Sequence, residues 1–195
     1  MSANRSLLVL FGSQSGNAED LASKVGKAAS KYGLEATVKG MDEIKITDLA
    51  GQKRIMICCS TWGEGEQPDN AEELWQKAVA ASPGLLNGVH YSVLALGDTS
   101  YELFCESGKE WDKRFEELGA TRLVDRVDCD VDYDKISQVW AEDALASMAA
   151  VDGEGLFHEE MVQAIKDSMI SDSTGASGED GFTVPIIKSE AIRAE

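Results

Sequence analysis

The sequence predicts an α/β fold, a doubly wound five-stranded parallel sheet of order 2-1-3-4-5 with helices on both faces. Three observations carry this expectation. Short apolar β-rich runs alternate with longer helical patterns through residues 1–150, the alternation yields five strands, and the unusual loops follow strands one, three and four. In a sheet of this order the winding reverses between strands one and three, and ligands sit beyond the carboxyl ends that flank the switch point.

The elements follow in order. Ser6 to Phe11 is an apolar run suited to a strand buried on both faces, and a helical pattern over Ala18 to Tyr32 leads to a second strand at Glu35 to Gly40. Lys53 to Ser60 is the third strand and Asn70 to Ala81 the helix after it. His90 to Leu96 and Arg122 to Val127 complete the sheet, with helices at Glu106 to Leu118 and Ile136 to Met148. Ser82 to Gly88, with its Pro-Gly and Asn-Gly steps, reads as a plain turn. The pattern changes near residue 150, where Asp152, Gly153, Glu154 and Gly155 precede a short amphipathic stretch, Leu156 to Ile170. Ser171 to Gly181 then has linker composition, and Phe182 to Ile187 is apolar enough for a strand. The expected division is a domain over 1–150 and an appendage over 151–195, comprising an acidic helix, a flexible linker and a C-terminal tail.

Composition narrows the function classes. The chain has 195 residues, 35 acidic and 18 basic, for a net charge of −17 and a pI near 4.4; 151–195 contributes −7 and the first 150 residues −10. Such a balance argues against nucleic-acid binding, which needs clustered Lys and Arg, and against anionic membrane surfaces. It favours basic partner surfaces and salt-sensitive encounters. No apolar run approaches a membrane span and none makes a signal-peptide core, so the expected location is the cytoplasm. Cys58, Cys59, Cys105 and Cys129 have no metal-ligand spacing with one another or with His90 and His158, and they read as reduced packing thiols. No metal site and no catalytic acid, base or nucleophile is expected.

Chemistry concentrates in the three loops. Gly12-Ser13-Gln14-Ser15-Gly16-Asn17-Ala18 offers hydroxyls, two glycines and the opening of a helix, where side chains, backbone N–H groups and the positive helix end can hold a phosphate. It is neither GxxxxGK[ST] nor GxGxxG, and its lack of Lys or Arg favours a monophosphate ester over a magnesium polyphosphate. Taken alone, it is also compatible with an ordinary strand-to-helix connection. Ser60-Thr61-Trp62-Gly63-Glu64-Gly65-Glu66 sets a large aromatic among small and polar residues, and Leu96 to Cys105 supplies a second aromatic, Tyr101. Two aromatics from neighbouring loops beside a phosphate-holding loop make a slot for a flat ring with a phosphate tail.

These residues resemble the flavodoxin-like FMN domains, most closely the FMN domain of the NADPH-dependent sulfite reductase flavoprotein subunit and, less closely, other diflavin reductases. The resemblance covers about residues 5–148. It rests on FGSQSGNAEDLA at Phe11 to Ala22, STWGEGEQPDNA at Ser60 to Ala71, and LGDTSYELFCESGKEWDKRFEELGATRLVDRVDCDVDY at Leu96 to Tyr133. It implies a low-potential FMN that accepts electrons from FAD, itself reduced by NADPH, and passes them singly to a haem or iron-sulfur acceptor such as the sulfite reductase haemoprotein. By motif, Ser13, Gln14, Ser15, Gly16, Asn17 and Ala18 would bind the FMN phosphate. Ser60, Thr61, Trp62 and Gly63 would line one ring face, and Leu96, Gly97, Asp98, Tyr101, Phe104 and Cys105 would cover the other, with Trp62 and Tyr101 stacked on opposite sides. Trp62 departs from the Tyr or Gln common in relatives, and Ser15 stands where many have Thr.

Electron transfer asks the protein to tune a flavin rather than to supply reactive groups. Gly63 and Gly65 would let a peptide of the second loop reorient towards the ring. Glu64, Glu66, Asp69 and Glu102 would disfavour a fully reduced, anionic flavin, and with Glu106, Asp128, Asp130, Asp132 and Asp134 they would present an acidic face to a basic partner, although a charge run is equally the mark of a solvated face. The partners expected are an FAD/NADPH reductase module, in the same or a separate chain, and the basic surface of the acceptor. A phosphoacceptor receiver domain shares the topology but needs an acidic pair where this chain has Gly12 and Ser13. A stand-alone carrier, an NAD(P)H:quinone oxidoreductase and a scaffold without FMN are the other readings, distinguished by turnover with NAD(P)H and by FMN retention.

Overall fold

A computed structural model describes residues 4–173. The elements are β1 (Ser6–Gly12), α1 (Asn17–Ala29), β2 (Glu35–Gly40), a four-residue α2 (Ile46–Leu49), β3 (Arg54–Ser60), α3 (Asp69–Ala80), β4 (His90–Leu96), α4 (Glu106–Glu117), β5 (Thr121–Arg122), β6 (Val127–Cys129), α5 (Asp134–Ala149) and α6 (Glu159–Ser173). The parallel sheet has the order β2-β1-β3-β4-β5, with β6 also on β4. The doubly wound expectation therefore holds.

Its central strands are buried on both faces because nearly every residue is apolar: β3 and β4 are buried along all or almost all of their length. Successive side chains feed opposite layers. Leu7, Val9 and Met56 meet Val25 of α1 and Trp140 and Leu145 of α5 on one face. Leu8, Leu10, Ile55 and Ile57 meet Leu74 of α3 and Trp111 and Phe115 of α4 on the other. Each such side chain contributes about 1.5–3 kcal/mol by burial. The register brings Gly12 beside Cys59 and Ser60 beside Leu96, so three adjacent strands end together.

The expected fifth strand, Arg122 to Val127, is instead two short strands. Thr121 pairs with His90 and Val127 with Leu94, so six residues of the edge pass four of β4. The reason lies in side chains distant in sequence. After Leu123 N–H reaches Tyr91 O at 2.9 Å, the Ser92 hydroxyl takes Val124 N–H at 3.3 Å in place of a backbone carbonyl. Arg122 and Arg126 both turn to the buried Asp112 of α4, at 2.7 and 2.8 Å.

Beyond α5 the chain stays attached to the body. Arg54, fully buried at the start of β3, donates to the carbonyls of Met148 at 3.0 Å, Val151 at 2.5 Å and Asp152 at 2.9 Å, and to Ser6 and Asn4 at 3.1 Å. Burial, reinforced by the charge of Arg5, lowers its pKa to about 10. Val151 bridges Phe157, and His90 Nε2 pairs with Gly155 O at 2.9 Å. α6 then runs back along α5: His158 N–H meets Ala150 O at 3.0 Å, and Lys166 meets Asp143 at 2.7 Å. The amphipathic stretch is thus a docked helix, with Ile165 against the α1/α5 layer. Its residues 171–173 complete the last described turn; the rest of the linker and the apolar run Phe182 to Ile187 lie outside the described residues.

Candidate functional site

The strand ends open on a cleft of about 450 Å3, a size typical of small-molecule sites. Gln14, Ser15, Asn17, Ser60, Thr61, Trp62, Gly63, Leu96, Gly97, Asp98 and Tyr101 line it, so the structure brings together residues from all three loops singled out in the sequence. Trp62 and Tyr101 are about half exposed, at 51% and 49%. Large aromatics with open faces at a concave site are suited to covering a planar ring.

The first loop is built to present N–H groups. Gly16, at φ +92°, is the N-cap of α1 and gives the helix no side-chain cap, so its first-turn donors lack intrahelical partners. Gly16 N–H donates to Ser13 Oγ at 3.0 Å, which fixes the turn, while Ser15 and Asn17 remain exposed. The start of α3 buttresses this loop. Ser13 N–H donates to Asn70 Oδ1 at 2.8 Å, and Gln14 and Asp69 exchange two hydrogen bonds of 3.0 Å. The Asp69 carboxylate is thereby committed to the loop.

The second loop closes on itself: Trp62 and Glu66 exchange backbone hydrogen bonds of 3.0 and 2.8 Å around Gly63 and Gly65, both at positive φ. A Cβ on Gly65 would lie 2.6 Å from Leu103 Cδ1, so the second and third loops touch where only glycine fits. In the third loop Asp98 accepts from the backbone and hydroxyl of Ser100, and Thr99 donates to Asp130 through its backbone at 3.2 Å and its hydroxyl at 2.6 Å. The Thr99 hydroxyl, with backbone N–H groups of Val131 and Thr99, lowers the Asp130 pKa.

Five residues expected at the site lie outside the cleft lining. Ser13 orders its loop from behind, Gly16 caps α1, and Ala18 is buried in the first turn of that helix. Phe104 is half-buried under Lys109 Nζ, which is 5.7 Å from the ring centre. Cys105, at φ +57°, turns its thiol inward, 3.5 Å from the carbonyl oxygens of Ala95 and Cys129. A Cβ on Gly97 would sit 2.7 Å from the Cys105 nitrogen, so Cys105 supports the floor of the cleft. All four cysteines are buried free thiols, and burial raises the pKa of Cys105 to about 12 and of Cys129 to about 11. Conversely, Leu103, Val131 and Tyr133 line the cleft without having been singled out for it. All three fall within the long third motif, which was the available signal.

The lining contains no Lys or Arg, and Asp98 is its one carboxylate. Exposed Glu64, Glu66, Glu102 and Asp132 stand on the loops around it. A ligand phosphate would therefore meet neutral donors and a helix end rather than a basic clamp. Among the described residues no group of His, Cys, Asp and Glu is arranged to hold a metal ion, and no helix is long and apolar enough to cross a membrane.

Comparison with known proteins agrees with this geometry. The flavodoxin family model matches residues 9–140. The chain is 43% identical over 150 residues to the sulfite reductase [NADPH] flavoprotein alpha-component of Bacillus subtilis, covering 77% of this chain and 25% of that one. It is 33% identical over 186 residues to the protein of that name from Vibrio parahaemolyticus, covering 95% and 30%. The chain thus spans only about a quarter to a third of these relatives. Among solved structures, a variant of a Pseudomonas aeruginosa flavodoxin superposes with a TM-score of 0.63 at 30% identity, covering 74% of this chain and 97% of that one. A Streptococcus pneumoniae flavodoxin gives the same score at 24% identity, covering 82% and 98%, a likeness of fold.

Proposed function

The chain belongs to the flavodoxin family, whose cofactor is FMN, and from that premise we propose that it is an electron-transfer domain of the sulfite reductase flavoprotein type. In this reading an FAD/NADPH reductase module, in the same or a separate chain, delivers electrons. The domain passes them singly to a haem or iron-sulfur protein, with sulfite reductase haemoprotein the favoured acceptor. The observation that carries the reading is the pairing, within one cleft, of an uncapped helix end with two half-exposed aromatics on separate loops. That arrangement fits a flat ring ending in a phosphate ester.

Bound FMN supplies a ring that takes up and releases electrons one at a time. The chain's own residues have other tasks. Ser15, Asn17 and the first-turn N–H groups of α1 hold the phosphate, with Ser13 and Gln14 setting the loop that presents them. Ser60, Thr61, Trp62 and Gly63 cover one face of the ring, while Leu96, Gly97, Asp98, Tyr101 and Leu103 cover the other. Phe104, Cys105 and Ala18 shape the floor and walls from behind. Together these side chains exclude water from most of the ring and leave an edge for the partner. The surrounding carboxylates favour a basic partner and weaken any additional negative charge on the ring. The cofactor unit is assigned to residues 1–150 and the appendage to 151–195, with the cytoplasm as the site of action.

The test is to add FMN to the purified chain, remove the excess and record the visible spectrum during stepwise anaerobic reduction. Equimolar retained flavin that takes up electrons in two resolved steps, with no bleaching by NADPH alone, is the expected result. Release of all the flavin would refute the reading, and steady NADPH oxidation by the chain alone would replace it with a quinone reductase.

A further inference from the structure

We propose that Ser107 is a positioning residue: from the first turn of α4 it holds both ends of the Trp62–Glu66 turn, confining movement of the second loop to its Gly63–Glu64–Gly65 peptides. The inference rests on the FMN reading above, and Ser107 itself lies outside the cleft lining.

Ser107 is fully buried. Its N–H donates to Thr61 Oγ1 at 3.1 Å, just before the turn, and its hydroxyl donates to Glu66 O at 2.7 Å, where the turn closes. One residue therefore ties both ends. The next residue along, Gln67, is fixed by the same helix face: its Oε1 accepts from Trp111 Nε1 at 2.9 Å, and its Nε2 donates to Glu110 at 2.8 Å. Ser107, Glu110 and Trp111 are spaced i, i+3, i+4 and form one stripe.

The helix offering this stripe is held firmly against the sheet. A Cβ on Gly108 would come within 2.9 Å of the Ala95 Cα and closer still to its Cβ, so α4 and β4 are in direct backbone contact. Thr61 N–H is also bound to Leu96 O at 2.9 Å. Within the turn, Trp62 O accepts from both Gly65 and Glu66 N–H, at 3.1 and 2.8 Å. The peptides between these anchors, flanked by two glycines at positive φ, are the part left to move. A loop whose ends are fixed from outside and whose centre is held by one hydrogen bond of its own and the Leu103 contact presents its peptides to a ring in a small set of orientations, and each orientation weights the ring's charge states differently. Loosening the ends should alter that weighting more than it alters retention of the flavin.

The test uses the whole chain and three variants: Ser107→Ala, which deletes the bond to Glu66, Thr61→Val, which deletes the bond to the Ser107 N–H at nearly constant volume, and Thr61→Ser as its control. Two measurements are made. In the FMN-loaded protein, an anaerobic titration gives both one-electron midpoint potentials. In the flavin-free protein, amide exchange is followed at Gly65 and Glu66. The expected result for Ser107→Ala is exchange at least about fivefold faster at Glu66, the size of one lost hydrogen bond. The ratio of the two one-electron equilibrium constants should change by about tenfold, a 59 mV change in the separation of the potentials, with FMN still retained. Thr61→Ser, which keeps the hydroxyl, should restore wild-type values where Thr61→Val does not. Unchanged exchange in flavin-free Ser107→Ala, or unchanged separation of potentials in variants that hold FMN, overturns the proposal. Failure of the wild-type chain to hold FMN would instead strike the functional reading, while the exchange experiment would still decide whether Ser107 clamps the turn.

Discussion

Replacing Arg54 with Met should destabilise the protein by about 3 kcal/mol while leaving its cofactor cleft intact. The guanidinium serves five backbone carbonyls, and three of them, on Met148, Val151 and Asp152, lie at or just beyond the end of α5. There the helix end carries partial negative charge, which a cation offsets. Methionine fills most of the volume but donates nothing. Water can replace the guanidinium at Ser6, Asn4 and Asp152, whose contacts are partly open, but not at the enclosed carbonyls of Met148 and Val151. A buried carbonyl left wholly unpaired costs about 1–3 kcal/mol, so about 2–6 is the upper range for the two; Met148 O keeps the Val151 N–H at 3.2 Å, which reduces its share. Release from holding a charge out of water returns part of this, and Arg5 still reaches Val151 O at 3.4 Å. A net loss of about 3 kcal/mol corresponds to about 6–12 °C in Tm for a chain of this size. Urea unfolding followed by circular dichroism measures the loss, with Arg54→Lys as the charge-retaining control. Because Arg54 starts the strand that Ser60 ends, about 20 Å away, FMN affinity should remain within about twofold. A loss below about 1 kcal/mol would refute the view that this cation joins the 148–152 segment to the sheet. So would a collapse of FMN binding at unchanged stability.

Trp62→Ala should weaken FMN binding by about tenfold, from the aromatic contact and apolar area removed, as measured by recovery of flavin fluorescence; an unchanged Kd would remove Trp62 from the ring site. Gly65→Ala should lower stability by at least about 1–2 kcal/mol, because φ +120° and the 2.6 Å approach to Leu103 both resist a Cβ, and unfolding at the wild-type urea midpoint would contradict this. The loop from Asp152 to His158 should be held best at intermediate pH. Backbone N–H donation, chiefly from Leu156, together with His158 lowers the Asp152 pKa to about 2, so its contribution is present above the ordinary 3.8 and is lost as pH falls towards 2. Asp152, with Glu160, raises the His158 pKa above 6.5, so that contribution is complete below 6.5 and is lost as pH rises through the raised value. Protection of the Leu156 amide, which donates to Asp152 Oδ1 at 2.9 Å, should fall on both sides; a flat profile would show that the pair does not hold the loop.

How much of this was legible in the sequence depended on whether the cause was local. Strands β1, β3 and β4 were readable because burial on both faces demands an uninterrupted apolar run. The three loops were readable because exposed aromatics on two neighbouring loops beside a Ser- and Gly-rich helix opening are uncommon in combination, although the Ser and Gly alone are ordinary at strand ends. The split edge was hidden, since its causes are the Ser92 hydroxyl and the Asp112 carboxylate, far from residues 122–127 in sequence. Residues 152–155 read only as a change of pattern before the amphipathic stretch, whereas Arg54, Arg5 and His90 fasten the 151–155 segment through main-chain atoms that no composition reveals. Val131 and Tyr133 reach the cleft only because β6 pairs with the last residues of β4. Asn70, which steadies the phosphate loop, read only as a helix start.

The interrupted border of the sheet also bears on solubility. A regular outer strand offers an evenly spaced row of free donors and acceptors on which another chain can build, and proteins commonly blunt such rows. Here the two-residue excess between Thr121 and Val127 breaks the spacing midway, and Arg122, Asp125 and Arg126 put charges at the break. A foreign strand that matched β5 would be out of step by the time it reached β6. The ion pairs to Asp112 therefore help keep this border closed to strand addition as concentration rises.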